Sequence, residues 1–203
     1  MRPNTVIFDM DDVLCRYDLG KRLRALSRLT GKTPRDIRAA IWDSGFEDDA
    51  DSGGYIDPDH YLDEFSRRLG HEITRAAWVE ARRSAMSPYP DVLDLARRIG
   101  ETARLAVYTN NGPMAKASLT ELFPEAAALF PEHYFSFEFA AKKPDPVSFL
   151  RLAARMGVDP SDCWFIDDKM SNVQGARMAG LSGHHFRSCA RLREEAQFLG
   201  FSV

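Results

Sequence analysis

Hydrophobic and polar positions divide the chain into two kinds of stretch. Near the N-terminus Val6-Ile7-Phe8 is a short unbroken apolar run, the pattern of a strand buried on both faces of a parallel sheet. From Arg16 to Ser87 apolar residues recur at helical spacing instead. Leu23, Leu26 and Leu29 form one stripe stopped by Gly31. Ile37, Ala40 and Ile41 follow the start signal Thr33-Pro34. Tyr61 or Leu62, Phe65 and Leu69 follow Asp57-Pro58 and stop at Gly70, and Thr74 precedes Trp78, Val79 and Met86. This segment is expected to be helical throughout, with no strand. Between its second and third helices the stretch from Asp43 to Gly54 carries Glu47, Asp48, Asp49 and Asp51 with Gly45, Gly53 and Gly54. It reads as a solvated polar loop, or alternatively as a lid whose paired glycines let the backbone approach a ligand.

From Ser87 onward helical and strand patterns alternate. Pro88-Tyr89-Pro90 leads into a helix with Val92, Leu95, Ala96 and Ile99 on one face, and Leu105-Ala106-Val107-Tyr108 is the next strand. Pro113 starts a helix, Tyr134 to Phe139 is an aromatic-rich strand, and Asp145-Pro146 opens a helix that Gly157 closes. Cys163-Trp164-Phe165-Ile166 is another buried strand, a short helix with Val173 and Ala176 ends at Gly180, and Ser182 to Phe186 offers a last strand. The predicted class is α/β: a Rossmann-like parallel sheet flanked by helices, with an α-helical cap inserted after the first strand. Residues 1–15 and 88–203 make the core, and 16–87 the cap.

Four predicted strands run directly into polar residues: Asp9, Asp11 and Asp12; Thr109 and Asn110; Lys143; Asp167 and Asp168. Open parallel sheets place their ligands at the carboxyl ends of strands, so these ends meet on one edge. Clustered carboxylates repel one another and raise each other's pKa values, which a divalent cation relieves. Composition adds exclusions. A chain of 203 residues with 44% hydrophobic and 28% charged residues has material for a full core, and a net charge of -3 gives no electrostatic case for a nucleic-acid partner. No stretch nears the ~20 apolar residues of a membrane span, and the N-terminus shows no signal-peptide pattern, so no membrane partner is expected. Cys15, Cys163 and Cys189, odd in number and widely spaced, suit buried thiols in a reducing compartment. The expected location is cytoplasmic.

Asp9-Met10-Asp11 after an apolar run, Thr109-Asn110 after a second strand, Lys143-Pro144-Asp145-Pro146, and Phe165-Ile166-Asp167-Asp168 followed by Asn172 together resemble the haloacid dehalogenase superfamily, in its branch with a helical cap. The resemblance covers essentially the whole chain. It implies a phosphatase that hydrolyses a small phosphate monoester, a sugar phosphate or related metabolite, with Mg2+ as cofactor. Asp9 is then the nucleophile that forms an aspartyl-phosphate, and Asp11 the general acid and then base. Thr109 and Asn110 donate to the phosphoryl group, Lys143 balances the charge of nucleophile and phosphate, and the metal is served by Asp9, by the backbone carbonyl of Asp11, and by Asp167 and Asp168 directly or through water. Either Asp167 or Asp168 is the direct ligand. Asn172 is a helix cap or a partner of the metal shell.

Asp12 stands where the family usually has glycine or another small residue. Arg16 and Asp18 read as surface residues, or alternatively as residues that reach the substrate from the cap junction, and His184 and His185 as structural. Alternatives on the same fold are a phosphomutase, which shares the whole core, and a 2-haloacid dehalogenase, which needs no proton donor and lacks an acid at the position of Asp11. A phosphonatase needs a cap lysine, and only Lys21 and Lys32 occur there. A non-catalytic binding protein has no need of both a nucleophile and an acid.

Overall fold

The computed structural model describes residues 2–203. Five parallel strands form the central sheet: β1 (Thr5–Phe8), β4 (Arg104–Thr109), β5 (Glu132–Phe135), β6 (Cys163–Asp167) and β7 (Ser182–His185), in the order β5-β4-β1-β6-β7. The first strand is therefore the middle one. It pairs Val6 with Leu105 on one side and with Trp164 on the other, so all of its residues are buried. Alternation along the strands sends Val6, Phe8, Val107 and Ile166 to one face and Ile7, Ala106, Tyr108 and Phe165 to the other. Helices α6 (Pro90–Ile99), α9 (Pro124–Leu129) and α12 (Cys189–Phe198) cover the first face, and α10 (Pro146–Met156) and α11 (Met170–Met178) the second.

The cap contains α1 (Leu19–Thr30), α2 (Pro34–Ile41), α3 (Phe46–Asp51), α4 (Pro58–Leu69) and α5 (Arg75–Arg83). Asp18, Thr33, Asp57 and Thr74 cap four of these with side-chain acceptors, and Gly31 and Gly70 end α1 and α4 in the left-handed conformation. Phe46, Tyr61, Phe65 and Trp78 stack and tilt against one another at the cap's centre. They join the first-face core without a break.

The structure corrects several expectations. Residues Cys15–Tyr17 (β2) and Met86–Pro88 (β3), at the two ends of the insertion, pair as an antiparallel ribbon. Three-residue strands are too short to show alternation, and their pairing partner is some 70 residues away, a separation no local pattern reports. The acidic stretch contains a helix: Phe46 and Ala50, four apart and both buried, anchor α3, while Glu47, Asp48 and Asp49 suit its first turn. Gly53 and Gly54 face the Phe137 carbonyl and the Asp49 side chain, so they serve packing rather than a ligand. Finally, the strand predicted to Phe139 stops at Phe135, where the Glu138 carboxylate accepts from the Phe135 N–H and turns the chain into a 3-10 segment over Ser136–Phe139.

Two short helices, α7 (Pro113–Ala117) and α8 (Leu119–Leu122), replace the single one expected after Pro113, and α12 has no counterpart in the predicted elements. Among the described residues no helix is long and apolar enough to cross a membrane.

Candidate active site

The carboxyl ends of β1, β4 and β6 and the loop before α10 converge on one cavity of about 270 Å3 that the cap overhangs. Asp9 follows β1 directly, its N–H still bonded to the Ile166 carbonyl at 2.9 Å. The chain then turns sharply through Asp12, whose φ of 61° is the left-handed region that glycine usually fills. Aspartate is tolerated there because its side chain bonds locally: Asp12 Oδ1 accepts from the Tyr17 N–H at 3.0 Å. The departure at Asp12 thus keeps the turn.

Lys143 lies at the centre of the charge arrangement, with only 3% of its surface exposed. Its Nζ donates to Asp9 Oδ1 and Asp167 Oδ2, both at 2.8 Å, and to the Tyr108 carbonyl at 3.1 Å. Burial opposes its charge, but Asp167 and Asp9 outweigh that and raise its pKa. Gly175 permits this placement. A Cβ there would stand 1.9 Å from the Pro144 carbonyl oxygen, so only glycine lets α11 close on the lysine loop. Asn110 fixes the same loop, its Nδ2 donating to the Lys143 carbonyl at 2.8 Å and its Oδ1 accepting from the Lys143 N–H at 3.1 Å. The side chain expected to hold the phosphoryl group is therefore committed to the backbone of Lys143.

The three acids of the centre differ in how they are held. Asp167 is fully buried and fully partnered: Lys143 and Asn172 on Oδ2, the Lys169 N–H and Asn172 on Oδ1. Burial works against its charge, yet Lys143 and these donors keep its pKa below the ordinary value. Asn172 thus acts on Asp167, while the cap position of α11 belongs to Lys169. Asp9 takes Lys143 and the Met10 N–H on Oδ1 only, and burial, opposed by Lys143 and reinforced by Asp167, pushes its pKa up. Asp168 is anchored through its carbonyl, which accepts from His185 Nε2 at 2.9 Å, while its carboxylate takes no donor among the described residues. Burial and the neighbouring Asp167 raise its pKa.

Asp9, Asp167 and Asp168 present carboxylate oxygens within 4.8 Å of one another. An all-oxygen set of hard donors with two incompletely partnered carboxylates fits Mg2+ rather than a softer metal. The Asp11 carboxylate is outside this group. Its Oδ2 accepts from Arg82 Nη2 at 2.9 Å and Asn111 Nδ2 at 3.2 Å, which turns it toward the cap. Thr109 is buried at the end of β4, and its Oγ1 accepts from the same Asn111 amide at 2.7 Å.

Arg82 and Asn111 are missing from the expected site, as is Arg22 on the cavity wall. Each leaves a trace in the sequence. Arg22 and Arg82 occupy apolar-stripe positions, Arg22 with Leu19, Leu23 and Leu26 and Arg82 with Trp78 and Val79, where a cation is out of place. Asn111 follows Thr109 by two, the strand-end spacing that returns a side chain to the same side.

A family model described as haloacid dehalogenase-like hydrolase matches residues 3–180. The chain belongs to this haloacid dehalogenase-like family. Among curated members it is 30% identical over 196 residues to Phosphatase MT3486 of Mycobacterium tuberculosis, covering 91% of this chain and 87% of that protein. It is 29% identical over 197 residues to Fructose-1-phosphate phosphatase YqaB of Escherichia coli, covering 87% and 92%. The haloacid dehalogenase fold is also that of the enzyme bt-2542 of Bacteroides thetaiotaomicron, solved in complex with magnesium and inorganic phosphate. The two superpose with a TM-score of 0.76 over 91% of this chain and 94% of that one, at 20% identity.

Proposed function

We infer that the chain is a magnesium-dependent phosphatase of small phosphate monoesters working through an aspartyl-phosphate on Asp9. The observation that carries this is the asymmetry of the acids. Asp9 has one oxygen held by Lys143 and the other without a protein donor, while Asp11 sits apart, gripped on Oδ2 by Arg82 and Asn111. One carboxylate is set to attack and the other to move a proton.

In this reading an Asp9 oxygen attacks phosphorus in line with the leaving oxygen, and Asp11 gives that oxygen its proton as the bond to phosphorus breaks. Asp11, now a carboxylate, takes a proton from water, which attacks the phosphorus of the aspartyl-phosphate. Inorganic phosphate leaves, and both aspartates return to their starting states. Lys143 neutralises the nucleophile and the entering phosphoryl group, and the Thr109 hydroxyl donates to a phosphoryl oxygen. Asn110 acts by holding the lysine loop. Mg2+ would be held by Asp9 and Asp168, with Asp167 behind them as the acid that fixes Lys143, and supplies charge neutralisation at the phosphoryl oxygens.

The same reading divides the chain into a core of 1–15 and 88–203 and a cap of 16–87, supported by the β2–β3 ribbon at the junction. A cytoplasmic location is supported by three free, buried cysteines.

The test is hydrolysis of p-nitrophenyl phosphate with and without Mg2+. Activity should require the metal and vanish in Asp9→Asn, while Asp11→Asn should lose about 10²–10⁴-fold on an alkyl phosphate, whose poor leaving group needs the acid. Metal-independent activity, or an active Asp9→Asn variant, would refute the assignment.

A further inference from the structure

The reaction described above uses the core half of the cavity and leaves the cap half without a role. That half is walled by Arg22, Trp42, Glu47, Asp51, Tyr61 and Trp78. Arg22 is 2% exposed, and its guanidinium carbon lies 4.8 Å from the centre of a Trp78 ring and 5.2 Å from that of Trp42. It makes a single hydrogen bond, from Nη1 to the Tyr17 hydroxyl at 3.2 Å. Glu47 Oε1 is 3.7 Å away, too far to bond, and accepts instead from the Tyr61 hydroxyl at 3.0 Å. Arg22 Nε and Nη2, which form one edge of the guanidinium, have no partner among the described residues, and neither has Trp78 Nε1. Buried donors without acceptors are rare because the loss of water is uncompensated, and both side chains that carry these three line the cavity.

Resting on the phosphatase reading, we propose that this wall selects the leaving group, that Arg22 and Glu47 are its specificity-determining residues, and that the group selected is an uncharged polyhydroxylated one. A hydroxyl group both donates and accepts, and the wall offers both complements: unpaired N–H donors on Arg22 and Trp78, and acceptor oxygens on Glu47 and Asp51. Trp42 and Trp78 add flat apolar faces for the C–H surface of a ring.

A second anion fits worse. Arg22 is already shadowed by Glu47, Arg82 is bonded to Asp11, and an incoming carboxylate or phosphate meets Glu47 as a like charge. The cavity of about 270 Å3 is shared with the phosphoryl site, a size that suits a leaving group of about one ring.

The experiment compares kcat/KM with Mg2+ for a set of hexose phosphates, phosphoglycolate and p-nitrophenyl phosphate, in wild type, Arg22→Gln and Glu47→Gln. Wild type is expected to favour the best hexose phosphate over phosphoglycolate by at least about tenfold, the scale that unpaired buried polar groups impose on a misfit substrate. In each variant the ratio of hexose phosphate to p-nitrophenyl phosphate should fall by about tenfold or more, mainly through KM. A structural role alone would lower both substrates together and leave the ratio fixed, which would overturn the proposal, as would a wild-type preference for phosphoglycolate. Should Arg22→Gln fail to fold, Glu47→Gln reads the same ratio. A wild type active on the aryl phosphate without preference for hexose phosphates refutes this inference alone. A wild type inert toward every phosphate refutes the phosphatase reading as well.

Discussion

The two halves of the cavity are built on opposite terms. In the core half the central charges are paired: Lys143 is shared between Asp9 and Asp167, and Asp167 has donors on both oxygens. In the cap half Arg22 is as deeply buried as Lys143, yet two of its nitrogens are unpaired. A satisfied network is rigid and keeps one geometry, whereas unpaired donors gain their partners from whatever enters. The core half thus suits the part common to all phosphate esters, and the cap half the part that varies.

The largest expected effect breaks the satisfied half. Lys143→Met leaves Asp167 buried without its cation, a loss of about 3–5 kcal/mol in urea unfolding, and should lower kcat by about 10²–10³-fold. Adding Asp167→Asn should recover part of the stability and none of the activity. If Lys143→Met alone costs under 1 kcal/mol, on the scale of surface pairs, the core network is not the tight unit described here.

Next in size is Gly175→Ala. The change brings a helix-propensity gain of roughly 0.5–1 kcal/mol, opposed by a Cβ 1.9 Å from the Pro144 oxygen. Backbone cannot retreat cheaply, so the clash wins, with a net loss of about 1–3 kcal/mol and reduced kcat as the lysine loop shifts. A stabilised variant would show that α11 does not hold Lys143.

Arg82→Met tests the seam between the halves. This residue positions Asp11, so kcat on an alkyl phosphate should fall about tenfold and on p-nitrophenyl phosphate much less, because the aryl leaving group hardly needs the proton. Equal losses on both would assign Arg82 to folding instead.

The smallest effect belongs to the cap surface. Glu64 accepts from Arg67 and Arg68, and the Arg67 bond first, with Arg68 adding to it, brings its pKa down from 4.5 to about 2 against the opposing effect of desolvation. Because the folded-state value is the lower one, the stabilisation is present above about pH 4.5 and is lost as pH falls toward 2. Glu64→Gln should cost under about 0.5 kcal/mol at neutral pH and nothing near pH 2, read by unfolding at both.

How much of this was legible in the sequence differs between the halves for the same reason. Val6-Ile7-Phe8 and Trp164-Phe165-Ile166 read as strands because burial on both faces leaves no polar interruption, and Asp9, Thr109 and Asp167 announce themselves by ending such runs. The core half is therefore written in local contrast. The cap half depends on what tertiary packing brings together. Arg22 meets Trp42 at the end of α2, Phe65 of α4 and Trp78 of α5, and no spacing along one helix reports that. In α3 two anchors, Phe46 and Ala50, are outnumbered by four acids, so charge density hid a helix. For Asn110, strand-end position fixes where the residue sits, not which neighbour its amide meets, here the backbone of Lys143.

The most direct test of the division is to trap the phosphoryl group. Asp11→Asn, mixed with p-nitrophenyl phosphate and Mg2+ and quenched in acid, should accumulate one phosphoryl group on the peptide containing Asp9, since the good leaving group departs without a proton while water is no longer activated. A phosphoryl group on another residue, or wild-type rates of turnover with no adduct, would contradict the assignment of the chemistry to Asp9 and of proton transfer to Asp11.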